Sequence, residues 1–368
     1  MRILYDGEIF SGQNFGGINT YFFNLWSRLS VDMEAMLLLS KNSLAAIPNY
    51  PQIQIKSVSD IHAGPRVFTN WLNQRLYQRQ MQMAGASLMH PTYYSLSNGF
   101  PINKTRLPIT LTVWDMIHEL FPKQYDPDKT KAATKKKAIM SASAIICISE
   151  NTKQDLMTIY NVPESKINVT LLAPGIVNPP FVKETIELQN PLYFLYVGGR
   201  KFHKNFEGLL KAFARVASNM KGVLLFVVGK PFQKQELKLI ATLGLAEHVQ
   251  HRGEVNDDDL ATLYSRSLAL VYPSFYEGFG IPPLEAMACG TVAIVANRSS
   301  IPEVVGPAAL QFDPDINGDL EDKLLEVFRK PAVRNYYILA GKEWVNRFSW
   351  NNTADQTFQI YRKVGNNI

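Results

Sequence analysis

The sequence predicts an α/β protein built as two doubly wound domains, each a parallel sheet with helices on both faces. Three observations carry that prediction. Short apolar runs of strand length alternate with segments of helical period through all 368 residues. The alternation pauses at Pro174, Gly175, Pro179 and Pro180, and restarts at Leu192. The length suits two domains of ordinary size, and 46% hydrophobic with 19% charged residues is a globular composition.

In the first half, residues 2–6 read as a strand, followed by a glycine-bearing loop and an apolar-periodic helix from Asn19. That is the first half of a βαβ unit. Gly16 and Gly17 at the helix start either bring backbone amides close to a phosphate or simply make a tight turn. The GxGxxG pattern of dinucleotide sites is absent. Residues 35–39 are a second strand. Residues 67–81 have helical period and mix Arg75 and Arg79 with Trp71, Leu72, Leu76 and Tyr77, which suits packing on a sheet or lying on a membrane surface.

Residues 88–91 and 109–113 are further strands. The second runs into Trp114-Asp115-Met116-Ile117-His118-Glu119, and polar groups just past such a strand end are where open α/β sheets bind ligands. Residues 128–143 form a helix with Lys129, Lys131, Lys135, Lys136 and Lys137 on its surface: a solvated face, or part of a patch for anionic membrane. Residues 144–149 are a buried-type strand, Ser149 opens the next helix, and 169–175 complete this half.

The second half repeats the pattern. Strand 192–197 leads through Gly198-Gly199-Arg200-Lys201-Phe202-His203-Lys204-Asn205 into a helix over 206–219. Strands at 223–228 and 249–253, a helix at 257–265 and a strand at 268–272 follow, then a strand at 291–295 and a last helix at 353–363. In the stretch 272–305 the carboxylates Glu277 and Glu285 stand eight positions apart, with Gly278-Phe279-Gly280 and Pro282-Pro283 between them. On one straight helix they would lie about 12 Å apart along the axis and roughly 80° apart around it, unable to share a ligand. The glycines and the proline pair instead put Glu277 on a loop and Glu285 on a helix. The backbone N–H groups of the glycine-rich turn sit where that helix begins, which favours an oxygen-rich or anionic ligand. Arg200 and Lys204, on a glycine-rich strand-to-helix loop, have the character of phosphate ligands, a bidentate fork and a point charge. Seen by themselves they would be two surface cations.

Net charge is +6, with 17 Lys/Arg against 12 Asp/Glu in residues 1–180 and 21 against 20 thereafter. A basic first half suggests an anionic partner there, but no zinc spacing or aromatic-basic signature argues for nucleic acid. No run approaches the roughly 18 apolar residues of a membrane span, and the start lacks a signal peptide's apolar core. The two cysteines, Cys147 and Cys289, lie in apolar runs as buried thiols would. These features suggest a cytoplasmic chain. The acidic triplets 126–128 and 313–315 carry a central proline, and 257–259 opens a helix, so no catalytic metal and no cofactor are expected.

The block E-G-F-G-I-P-P-L-E-A-M-A-C-G, from Glu277 to Gly290, resembles the E-x7-E signature of retaining, nucleotide-sugar-dependent GT-B glycosyltransferases (glycosyltransferase family 4, group 1), and the Arg200–Asn205 loop is similar to that family's G-x-R…K-N element. The resemblance covers most of the chain, tightly at 197–205 and 272–303 and loosely before 180. It implies two Rossmann-like domains facing across a cleft: an acceptor domain over 1–178, to which the last helix at about 353–368 returns, and a donor domain over 179–352. It implies that Glu277, with Gly278, Phe279, Gly280 and Ile281, meets the donor sugar, that Glu285 meets the ribose hydroxyls and that Val255 meets the base. Arg200 and Lys204 then hold the diphosphate, with Gly16 and Gly17 contributing. Many relatives carry His-Asp where this chain has Trp114-Asp115; His118 is the candidate to supply that imidazole. The implied reaction moves a hexosyl group from GDP-mannose or a UDP-sugar to a lipid-linked or polysaccharide acceptor in surface glycan synthesis, with possible peripheral contact with an anionic membrane. A nucleotide-sugar epimerase and a non-catalytic partner of another transferase are the alternatives.

Overall fold

The structure, a computed structural model, describes residues 1–13, 16–40, 43, 46–58, 66–176 and 191–366. It divides into two compact units, Met1–Leu172 with Ser349–Ile368, and Ala173–Phe348. The expected linker prolines Pro179 and Pro180 and the 178/179 boundary lie outside the described residues.

The first unit carries strands β1 (Arg2–Asp6), β2 (Glu34–Ser40), β3 (Ile53–Val58), β4 (Leu88–Pro91), β5 (Thr110–Val113), β6 (Ala144–Cys147) and β7 (Ile167–Val169). All pairings are parallel, in the orders β3-β2-β1-β4 and β5-β6-β7, and a parallel bridge between Met89 and Ile109 joins the two groups. Strands β4, β5 and β6 are buried along their whole length, as expected of parallel strands covered on both faces. The last helix, Trp350–Gly365, belongs to this unit. Its buried face includes Trp350, Ala354, Phe358 and Tyr361, the Thr353 hydroxyl donates to the Leu171 carbonyl at 2.7 Å, and the Tyr361 and Tyr5 hydroxyls are 3.1 Å apart.

The second unit carries β8 (Tyr193–Val197), β9 (Leu224–Val228), β10 (Val249–Gly253), β11 (Ala269–Tyr272), β12 (Ala293–Ala296) and β13 (Leu310–Phe312), all parallel, in the order β10-β9-β8-β11-β12-β13. Helix Phe206–Ala217 shows why the pattern folds this way. Phe206, Leu209, Leu210, Phe213, Val216 and Ala217 recur at helical spacing and are buried against Phe194, Leu225 and Val227 of the sheet. Both units have the doubly wound order in which the chain starts centrally, runs to one edge, and returns past its first strand.

Two expectations change. Strands β3 and β13 are additional, and β7 begins earlier than residue 169; these are short or edge strands with mixed faces. Lys135, expected on the lysine-rich surface of its helix, is fully buried. Its ammonium donates to Glu119 at 2.8 Å and to the Asp115 carbonyl at 2.9 Å, and sits 5.3 Å from the Tyr94 ring centre. A buried lysine is tolerable because it is paired and hydrogen-bonded. No helix among the described residues is long and apolar enough to cross a membrane.

Candidate active site

In the second sheet the winding reverses between β8 and β11, which are hydrogen-bonded neighbours. Loops leaving such a pair diverge and open a crevice at the C-terminal strand ends. Here the two loops are tied together, with the Phe275 amide donating to the His203 carbonyl at 2.7 Å. Lys204, ending a short 3-10 turn after β8, donates to both Glu277 carboxylate oxygens, at 2.7 and 2.8 Å. Its ammonium is also 3.3 Å from the Tyr272 hydroxyl and 5.4 Å from that ring's centre. Burial, reinforced by the Glu277 charge, pushes the Tyr272 phenol well above its usual range, so it remains a neutral donor. The side chains of Lys204 and Glu277 keep 23% and 10% of their surface open, so the pair is reachable. Asn205 takes the left-handed conformation that asparagine tolerates and starts the following helix.

The Glu277 loop is held from a second direction. The Glu277 amide donates to Ser299 Oγ at 2.8 Å, and that hydroxyl returns a bond to the Glu277 carbonyl at 2.7 Å. Ser300 Oγ lies 2.9 Å from the carbonyls of both Glu277 and Phe279. Gly280 then turns with φ of 106°, a geometry that strains any side chain, and caps the helix Ile281–Ala288, whose first turn contains Pro282 and Pro283. Pro282 and Pro283 bring no N–H to that turn, so the amides at the helix's positive dipole end are those of Gly280 and Ile281.

Glu285 lies on this helix, partly buried. The Tyr264 hydroxyl donates to Oε2 at 3.1 Å, and Gly175 approaches so closely that a Cβ there would lie 3.0 Å from Oε1. Burial raises the carboxyl's pKa; the bonds from Tyr264 and the Gly175 amide oppose the rise without cancelling it. Val255 follows β10 on the rim of a cavity of about 500 Å³ lined by Tyr193, Phe226, Arg252 and Arg266. That cavity includes none of Lys204, Glu277 and Glu285.

Arg200 is placed differently from Lys204. Its Nε donates to Glu236 at 2.7 Å, its Nη2 donates to the Lys230 and Pro231 carbonyls at 2.9 and 2.8 Å, and the guanidinium stacks near Phe206 and Phe232. With 5% of the side chain exposed, it ties the loop after β8 to the loop after β9.

Gly16, Gly17 and His118 belong to the first unit. Gly16 precedes the helix Gly17–Trp26, whose start has no side-chain cap; its neighbours Asn14 and Phe15 lie outside the described residues. His118 sits half-buried in the turn Ile117–Leu120, and its Nδ1 is buried with no hydrogen-bond partner among the described residues. Burial lowers its pKa, helped by the nearby Lys135 charge, so the ring is biased to the neutral form. The structure therefore brings together Lys204, Glu277 and the Gly278–Ile281 turn, with Glu285 one helical turn on.

Sequence reasoning missed Ser299, Ser300, Tyr272 and Glu236. The two serines stand inside the stretch that drew attention, but serine in a turn is too common to signal a clamp. The acidic triplets have local partners: Asp126 accepts from the Lys131 and Ala132 amides, Asn256 caps the helix beginning at Asp257, and Asp313 and Asp315 pair with Arg298. Among the described residues no group of three or more His, Cys, Asp or Glu is placed to hold a metal ion.

Two parallel doubly wound units are the GT-B glycosyltransferase architecture. Residues 180–344 match the family model described as "Glycosyl transferases group 1". The protein is a glycosyltransferase. It is 27% identical to O-antigen chain mannosyltransferase B of Escherichia coli, across 94% of this chain and 96% of the relative. It is 26% identical to O-antigen chain mannosyltransferase RfbU of Salmonella typhimurium, across 78% and 75%. Among solved structures, sucrose-phosphate synthase from Thermosynechococcus elongatus superposes with a TM-score of 0.80 at 20% identity, covering 99% of this chain and 98% of that one. WaaG, a glycosyltransferase involved in lipopolysaccharide biosynthesis, superposes with a TM-score of 0.73 at 14% identity, covering 98% and 99%.

Proposed function

We propose that this protein transfers a mannosyl group, with retention at the anomeric carbon, from a nucleotide-diphosphate sugar to a lipid-linked or polysaccharide acceptor in surface glycan synthesis. The observation that carries the reading is the Lys204–Glu277 pair on the adjoining loops of β8 and β11. The two relatives named O-antigen mannosyltransferases, one spanning nearly the whole chain, favour mannose and hence GDP-mannose over a UDP-sugar.

Breaking the anomeric C–O bond leaves negative charge on the departing diphosphate. Charge that grows in the transition state is where a fixed cation lowers the barrier. Lys204 has the reach and the exposure for that role; without donor it is neutralised by Glu277, so donor phosphate competes with the carboxylate for the ammonium. Glu277, freed by that exchange and held by Ser299 and Ser300, accepts hydrogen bonds from sugar hydroxyls beside the Gly278–Gly280 amides. Glu285 accepts from the ribose diol. Lys204 and the helix start at Ile281 supply the countercharge that a metal ion supplies elsewhere, so the reading assigns neither metal nor cofactor. Arg200 acts in it as a strut for the donor loops. Acceptor recognition falls to the first unit, where neutral His118 offers a ring nitrogen to a hydroxyl. The leaving phosphate takes the acceptor's proton on the face it departs from, which gives retention.

The test is to incubate the protein with GDP-α-mannose or UDP-sugars and an undecaprenyl-diphosphate-linked or soluble oligosaccharide acceptor, and read the new linkage by NMR. An α-mannosyl product supports the reading. A β-linked product overturns retention, transfer from UDP-sugars alone overturns the donor, and an isomerised free donor would favour an epimerase.

A further inference from the structure

The helix Arg66–Met83 of the first unit has two opposed faces. Thr69, Asn73, Tyr77 and Met81, four residues apart, are buried. Tyr77 donates to the buried carboxylate of Asp6 at the end of β1, and Gln74 donates to the Gly99 carbonyl at 3.1 Å, so the inner face is pinned to the sheet and to the loop beside it. The opposite face follows the same spacing: Val67, Trp71, Arg75 and Arg79, with Phe68 alongside.

This outer face is apolar at one end and basic at the other. Val67, Phe68 and Trp71 are exposed by 84, 57 and 50% of their surface, and the Phe68 and Trp71 rings stack at 6.0 Å. Arg75 lies 5.3 Å over the Trp71 ring, and neither it nor Arg79 has an acidic partner among the described residues. Single exposed apolar residues are ordinary; three together on one rigid turn, one of them tryptophan, are not. Beyond Gly99, to which Gln74 of this helix donates, lies a groove of about 340 Å³ lined by Phe100, Ile102 and, from the helix Thr130–Ser141, Lys137; Met140 of that helix is exposed. Aromatic anchors flanked by unpaired cations match the chemistry of an anionic bilayer surface: ring edges enter the headgroup layer while guanidinium and ammonium groups meet lipid phosphates.

We propose that the first unit docks on an anionic lipid surface through this face. Val67, Phe68 and Trp71 are its apolar anchor, and Arg75, Arg79 and Lys137 are its phosphate contacts. The idea deepens the lipid-linked acceptor reading and rests on it for biological purpose, but its physical content is independent: binding to lipid needs neither donor nor acceptor.

The test is cosedimentation of the full chain with phosphatidylcholine vesicles, with and without phosphatidylglycerol, at low and high salt. Wild type should sediment with the anionic vesicles and be released by salt. Arg75→Gln with Arg79→Gln should weaken binding about thirty-fold, and Phe68→Ser with Trp71→Ser on the order of tenfold. These positions are exposed, so thermal midpoints and transfer to a soluble acceptor should stay at wild-type levels. Wild type indifferent to anionic vesicles, or both variants binding them as wild type does, would overturn the proposal. A chain that sediments as described but transfers no sugar would support docking while counting against the catalytic reading.

Discussion

Two winding reversals sit in this chain, and they are built from similar parts to different ends. In the first unit, β1 and β4 flank Asp6, whose carboxylate accepts from Tyr77, from the Ser97 amide at 3.1 Å and from the Glu8 amide at 3.0 Å, and which is fully buried. Nearby in that unit, Lys135 and Glu119 pair with 1% and 5% of their side chains exposed. In the second unit, β8 and β11 flank Lys204 and Glu277, a pair of the same chemistry and length left partly open. Charged groups at strand ends therefore do not by themselves mark a site. A carboxylate saturated by protein donors out of solvent's reach holds loops together, whereas a reachable pair can exchange one partner for a ligand.

The sharpest way to break this contrast is to remove one buried partner. Lys135→Ala strands Glu119 without a countercharge and should destabilise by about 3 to 5 kcal/mol, read by chemical denaturation. Lys204→Ala should leave the denaturation midpoint near wild type, since solvent can reach Glu277. Equal losses for the two would erase the distinction.

Asp6 allows a pH test of the same contrast. Burial, opposed by the Tyr77 hydrogen bond, holds its carboxyl at about 7 against an ordinary 3.8. The folded state thus binds the proton more tightly than the unfolded state. That contribution to stability is fully present below 3.8 and is lost as pH rises to about 7. Buried His90, lowered to about 3, contributes the opposite slope over much of that range, so the quantity to measure by denaturation is the stability of wild type minus that of Asp6→Asn, which should fall through the window. A difference that stays constant with pH would assign the window to another group.

The smallest expected effect concerns the clamp. Ser299→Ala removes one of the two serine holds on Glu277, and kcat/KM should fall roughly tenfold with little change in thermal midpoint. No loss of activity would mean that Ser300 alone positions the loop.

Much of the second unit was legible in the sequence because local chemistry and tertiary role agree there. Gly280 needs its positive φ, Pro282 and Pro283 suit only a first helical turn, and both force Glu277 onto a loop and Glu285 onto a helix whatever surrounds them. That Lys204 lies on the loop between β8 and the next helix was legible from the glycine pair before it. The contacts of Arg200 were not, because its partners Glu236, Lys230 and Pro231 lie about thirty residues further on and no spacing announces them. Lys135 was read as surface because four other lysines crowd its helix; only Glu119, brought in by the fold, makes its burial tolerable. Strand β3, half-exposed at a sheet edge, lacks the apolar run that revealed β4, β5 and β6.

The most direct measurement is a thermal-shift titration of wild type and Lys204→Ala with GDP, UDP and their sugars. A ligand that binds only the folded state raises the midpoint with concentration. One nucleoside diphosphate, GDP if the donor is GDP-mannose, should raise the wild-type midpoint and leave that of Lys204→Ala in place. An equal rise in both proteins, or no rise in wild type with any of the nucleotides, would contradict that expectation.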